Sequence, residues 1–180
     1  MTQANIIQII VILICVIFSA YFSATETAFL SFNKIRMKNL ASDGDKRAAL
    51  VMRLSDNYDS LLSTILIGNN IVNITLASVA TVMFTGWFPN NGAVMSTAVT
   101  TVIVLIFGEI SPKSIAKETP DSFAKFSAPF INALMLLFTP LNFIFKNWKK
   151  LLAKIFKFGG TTAITEEELK TIVDRSEEHT

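Results

Sequence analysis

The sequence predicts an all-α integral membrane protein. It comprises three transmembrane helices, a juxtamembrane helical hairpin on the cytoplasmic side, and an acidic cytosolic linker helix. Three observations predict this. Hydrophobic residues make up 51% of the 180 and charged residues only 17%, where a soluble domain carries about 25% charge. The charges are clustered, so long uncharged blocks alternate with short charged connections. The first block, Ile6–Phe18 with its polar-faced continuation to Phe32, makes roughly 40 Å of helix, more than the ~30 Å hydrocarbon core. Such a helix must tilt, kink or emerge with its last turns in water.

The start, MTQAN, has no positive charge, so the first block is expected to be a retained span and not a cleaved signal. The lone Cys15 lies inside it, which excludes a disulfide framework and a cysteine metal site. His179 is the only histidine, which removes histidine zinc chemistry and most general-base schemes. No enzyme is expected.

The connection Asn33–Asp59 carries Lys34, Arg36, Lys38, Lys46, Arg47 and Arg53 around a turn at Ser42–Asp45. By the positive-inside rule it is cytoplasmic, and the N-terminus is outside. A basic nucleic-acid face would need a soluble core to carry it, so no nucleic-acid partner is expected. Leu61–Phe84 is the second span, interrupted by Gly68-Asn69-Asn70 and Asn73. Thr85–Gly92 is an outer turn with Trp87 and Phe88 suited to the interface. Ala93–Phe107 is the third span. Ala128–Phe145 is apolar but contains Pro129 and Pro140, and the lysines from Lys146 to Lys157 follow it. A crossing there would put that lysine block outside, so a shallow or re-entrant hairpin is favoured over a fourth span. Gly159-Gly160 is a hinge, and Thr165 caps an amphipathic helix with acids in its first turn. The expected division is a membrane domain over 1–160 and, over 161–180, an acidic helix leading to a soluble cytosolic region.

Three stretches carry the functional signal. In Ser19–Ser31, residues Ser19, Ser23, Glu26 and Thr27 recur at helical spacing and give one face three hydroxyls and a carboxylate. In the second span, Gly68 is a place where the helix loosens and bares carbonyls, and Asn69 and Asn73 share a face. In the third, Gly108-Glu109 precede Pro112, which has no N–H and deprives the Gly108 carbonyl of its helical partner. A helix ending there aims its negative end at whatever lies beyond. The plain alternatives are interhelical hydrogen bonding and a helix stop with Glu109 paired to Lys113.

Counting helical rise, Ser19 lies roughly 20 Å and Glu26 roughly 30 Å from the outer end of span one, Gly68-Asn69-Asn70 roughly 10–13 Å from the inner start of span two, and Glu109 and Pro112 roughly 24–29 Å from the outer start of span three. All fall in the inner half and can meet in one cavity. The candidate ligands are oxygens, from Ser19, Ser23, Asn69, Asn70, Asn73, the Gly68 and Gly108 carbonyls, Glu26 and Glu109. These suit hard cations, Mg²⁺, Ca²⁺ or Na⁺, which the residues alone do not separate.

The stretches SAYFSATETAFLS, ILIGNNIVNI and FGEISPKSIAKE, with the tail TEEELKTIVDRSEE, resemble the transmembrane domain of the cyclin M (CNNM)/CorC magnesium transporter family. The resemblance covers essentially the whole chain. It implies a homodimeric Mg²⁺ transporter of the plasma membrane, exporting Mg²⁺ against inward Na⁺, with ATP sensed only by a cytosolic pair of CBS modules beyond this sequence. It places a dehydrated Mg²⁺ in an inward-facing cavity at Ser19, Ser23, the Gly68-Asn69-Asn70 break and Glu109, with Pro112 and Lys113 shaping the third helix. Glu26 matches an acidic position of the first motif. Two other classes remain open at this point, a Mg²⁺-sensing membrane protein that controls another transporter and a structural anchor.

Overall fold

In a computed structural model the described residues, 3–141 with Ile144 and Trp148, are helical throughout apart from short turns. Residues 3–141 belong to the unit Met1–Asn142. The lysine-rich stretch after Phe145, the glycine hinge, the acidic helix and the expected boundary at 160/161 lie outside the described residues.

The elements are α1 (Gln3–Ser31), α2 (Lys34–Ser42), α3 (Lys46–Asp56), α4 (Tyr58–Trp87), α5 (Gly92–Ile103), a π-helical turn (Val104–Ile110), α6 (Ser111–Glu118) and α7 (Pro120–Leu137). Three stretches are long and apolar enough to cross a membrane: α1, α4, and the continuous helical run Gly92–Glu118. The chain is therefore a membrane protein. α7 is not among these spans; it begins with Pro120 and Asp121, runs through Pro129 without stopping, and packs along α1, α3 and α4. The far end of the Ala128–Phe145 stretch falls outside the described residues.

α1 is the centre of the bundle, packed against α4, the π-helical turn, α6 and α7. Its two halves have different surroundings. Toward the N-terminus, Ile7, Leu13 and Ile17 are 62%, 57% and 67% exposed and face lipid. From Phe22 to Phe32 it enters a core with Met37, Val51, Leu61 and Ile131, drawn from α2, α3, α4 and α7. The last turns of α1 are sheathed by protein.

Polar contacts hold the α2–α3 hairpin to α7. Asn33 caps α2, its side chain accepting from Arg36 N at 2.9 Å, while Asn33 N donates to Asp121 Oδ1 at 2.9 Å. The turn Ser42–Asp45 is as expected, with Gly44 at φ +98°, a conformation that favours glycine. Asp45 caps α3, accepting from Arg47 N and Ala48 N at 2.9 and 3.1 Å, and its other oxygen meets Lys125 Nζ of α7 at 3.1 Å.

The structure corrects two sequence expectations. α4 runs unbroken through Gly68-Asn69-Asn70. Gly68 makes room there for a side chain: a Cβ on it would lie 2.5 Å from the Phe22 ring. Nor does the third span end at Gly108. It widens into the π-helical turn, with Ser111 N donating to Ile106 O, and continues as α6. An i→i+5 turn is one way a helix absorbs a residue that cannot donate, and Pro112 opens α6, where its missing N–H matters least.

Two predictions follow from this packing. Gly68→Val should destabilise the purified protein by about 1–3 kcal/mol, the cost of overpacking a filled interface, and Phe22→Leu should recover part of that loss; equal melting of Gly68→Val and wild type would refute the contact. The Asp45 carboxyl is held below the ordinary carboxylate range, first by the Ala48 N–H, then by Lys125 and the Arg47 N–H. Its contribution is complete above the unfolded-state value and is lost as pH falls through that value, about 4, to the lower folded one. Asp45→Asn should therefore flatten the acid limb of the melting profile; an unchanged limb would show that the contact contributes nothing.

Candidate cation site between the spans

Among the described residues, the four buried threonines of the spans are satisfied locally. Thr25 bonds Tyr21 O, Thr27 bonds Ser23 O, Thr64 bonds Ser60 O and Thr100 bonds Ser96 O, each one turn back at 2.7–3.1 Å. Such bonds let a helix carry hydroxyls through an apolar region at little cost. Ser96 instead meets Thr81 Oγ1 across α4 and α5 at 3.4 Å, and Ser19 and Ser23 of α1 also depart from the pattern.

Ser19 is fully buried where α1, α4 and the π-helical turn meet. Its Oγ donates to Asn69 Oδ1 of α4 at 3.3 Å. From the third span Gly108 closes on the same atom: a Cβ on Gly108 would lie 2.8 Å from Ser19 Oγ. One residue from each of the three sequence stretches therefore meets at one point. Helical rise accounts for the match, since Ser19 lies about 18 Å from the hairpin end of α1 and Asn69 about 16 Å from that of α4.

Ser23 follows one turn later on the same face and is 2% exposed. Its Oγ has no hydrogen-bond partner among the described residues, a condition shared only by Ser55 Oγ on α3 and Asn73 Oδ1 on α4. A buried polar atom without a partner costs about 1–3 kcal/mol. Ser23 Oγ and Asn73 Oδ1 are on the two stretches that Ser19 and Asn69 join, each one helical turn from that junction.

Glu26, one further turn along α1, pairs with Lys113 Nζ of α6 at 3.3 Å. This replaces the Glu109–Lys113 pair that an unbroken α-helix would allow, because the π-helical turn spoils their i, i+4 alignment. Glu109 is partly buried, with no hydrogen bond or ion pair among the described residues. Glu26 is thus paired with Lys113, whereas Glu109 keeps its charge without an ion pair among the described residues. Asn70 is exposed on the other side of α4, while Asn69 and Asn73 are partly buried. Gly68 contributes a close approach through Phe22, and its carbonyl stays within the helix.

Among the described residues no three Asp, Glu, His or Cys side chains cluster as a conventional metal centre. The oxygens at or one turn from the junction are neutral, the hydroxyls of Ser19 and Ser23 and the amide oxygens of Asn69 and Asn73, and Glu109 follows Gly108 in the chain. Hard cations take such ligands, and a set with little charge holds a cation without trapping it. Phe22, which fixes α1 against α4, was missed by sequence reasoning. Its signal was an aromatic residue in the first stretch facing a glycine in the second.

Comparison with known proteins gives the family of the chain. The cyclin M transmembrane N-terminal domain family matches residues 10–180. A UPF0053 protein of Haemophilus influenzae is 36% identical over 174 residues, 95% of this chain and 41% of that protein. The UPF0053 inner membrane protein YfjD of Escherichia coli is 33% identical over 162 residues, 88% of this chain and 38% of that protein. A polyamine export protein of Haemophilus influenzae is 23% identical over 185 residues, 94% of this chain and 43% of that protein. The chain thus spans about two fifths of the length of these relatives. With the match covering nearly all of its length, and the three stretches meeting at Ser19, the chain belongs to the cyclin M transmembrane domain family.

Proposed function

We propose that this chain is the membrane-embedded part of a Mg²⁺ transporter that binds its cargo between the spans and exports it against inward Na⁺. The observation that carries the reading is the buried, unpartnered Ser23 Oγ, one turn from the junction of Ser19, Asn69 and Gly108. A buried oxygen left unsatisfied in the protein is a standing cost, which a bound cation would offset.

In this reading Ser19, Ser23 and Asn69 replace part of the hydration shell of Mg²⁺. Carbonyls of the π-helical turn add further oxygens, and Glu109 supplies the compensating charge. Asn73 stands ready one turn deeper, and Asn70, on the exposed side of α4, is left out of the ligand set. Glu26 and Lys113 tie α1 to α6, so movement of the third span against α1 opens or closes the site. The N-terminus lies outside, on the side opposite the basic α2–α3 hairpin. The working unit is a homodimer whose cytosolic CBS pair senses ATP. The protein moves an ion and does not catalyse bond chemistry.

The relative named for polyamine export supports cation export in this family and raises a second cargo, since ammonium groups also bind neutral oxygens. Flux into proteoliposomes holding only this protein tests both. Mg²⁺ flux should exceed that of empty liposomes and fall roughly tenfold to a hundredfold in Ser23→Ala and Glu109→Gln, the worth of one hydrogen-bonding group to a charge. Ser23→Ala should melt no lower than wild type, since it removes an unsatisfied hydroxyl; a role in helix packing alone predicts lower melting with unchanged flux. Spermidine flux without Mg²⁺ flux would move the cargo to polyamines. Absence of either flux, with Mg²⁺ still bound, would make the protein a sensor.

A further inference from the structure

A groove of about 430 Å³ runs between α1 and α7, away from the cation site. Its walls are Ile17, Phe18 and Tyr21 of α1 and Phe126 and Phe130 of α7, and Arg47 of α3 stands among the lining residues. The aromatic rings are set against one another, Tyr21 to Phe130 at 5.5 Å and Phe18 to Phe130 at 6.4 Å between centroids. Ile17 and Phe130 are 67% and 42% exposed, so the wall is open on the lipid-facing side.

The polar groups nearby leave one charge free. The Tyr21 hydroxyl donates to Ser127 O at 3.2 Å. Asp45, the acid nearest in sequence, is engaged by Lys125 and by the first N–H groups of α3. The Arg47 guanidinium has no ion pair or hydrogen bond among the described residues, and the residue is exposed. The groove thus places apolar walls toward the middle of the membrane and one unpaired guanidinium at the end where the α2–α3 hairpin lies.

We propose that this groove holds an anionic phospholipid from the leaflet on the hairpin side, with an acyl chain along Ile17, Phe18 and Phe130 and the phosphate on Arg47. The charge selects this occupant. A guanidinium at the membrane boundary, with its stem along apolar surface, matches a phosphate in two-point geometry. A plain apolar helix would leave it unpaired, and a zwitterionic lipid offers a phosphate whose charge its own choline already counters, so net negative charge favours the anionic lipid. Seated there, the lipid bridges α1, α3 and α7, the same three elements that the Lys125–Asp45 contact and the Tyr21 hydroxyl hold together.

The test is native mass spectrometry of the full chain supplied with equal phosphatidylglycerol and phosphatidylcholine. Wild type should retain phosphatidylglycerol preferentially, and Arg47→Gln should reduce that preference roughly fivefold, the effect of one basic residue at an anionic surface. Lys46→Gln, one position away and outside the groove lining, should keep it. Phosphatidylglycerol carrying a photoreactive acyl chain should label peptides spanning residues 17–21 and 126–130. Equal retention of the two lipids by wild type, or an unchanged preference in Arg47→Gln, would overturn the proposal. So would label found only elsewhere, the result expected if a second copy or residues 143–180 filled the groove.

Discussion

The structure depends on how closely α1 approaches both other spans. Two glycines permit it. Gly68 receives the Phe22 ring from α1, and Gly108 receives Ser19 Oγ. A Cβ at either position would sit 2.5–2.8 Å from these atoms, inside van der Waals contact, so the packing would have to give way. In lipid, apolar surface gives little preference for one helix over another, so close packing and interhelical hydrogen bonds decide which faces meet. Here they turn the hydroxyl face of α1 inward, and the same contacts that assemble the bundle assemble the candidate site.

The remainder of the fold supports that contact. The inner turns of α1 are buried in a core shared with α2, α3, α4 and α7, and charged contacts at Asp45 and Asp121 fix the hairpin to α7. The rigid part of the molecule is therefore the hairpin end. The opposite half of α1 has only lipid around much of its surface. Between the two lies the π-helical turn, where the third span departs from regular geometry. The same turn carries Gly108, the residue that meets Ser19.

Much of this was legible in the sequence. The three spans follow from hydropathy, the Ser42–Asp45 turn from its residue types, and the polar face of α1 from the spacing of Ser19 and Ser23. Rise per residue put the three stretches at one depth, and the Ser19–Asn69 bond joins two of them. The local geometry was not legible. Glycine followed by two asparagines predicts a break on propensity, but α4 stays regular because Gly68 is occupied from outside by Phe22. Pro112 predicts a helix end, but the backbone widens by one residue and continues. That change moves Glu109 away from Lys113 and leaves Lys113 to Glu26. The Phe22–Gly68 and Glu26–Lys113 contacts join distant segments, which local propensity does not encode.

The central claim is that the hydroxyl face of α1 and the turn at Gly108 enclose one cation. Gly108→Ala tests it without deleting any oxygen, since it adds one methyl group 2.8 Å from Ser19 Oγ. The measurement is calorimetric titration of Mg²⁺ into purified wild type and Gly108→Ala, with helicity checked in both. The account predicts Mg²⁺ binding by the wild type and its loss in the variant while the helices persist. Equal binding by the two proteins would place the cation elsewhere and leave Ser19, Ser23 and Gly108 with a packing role alone.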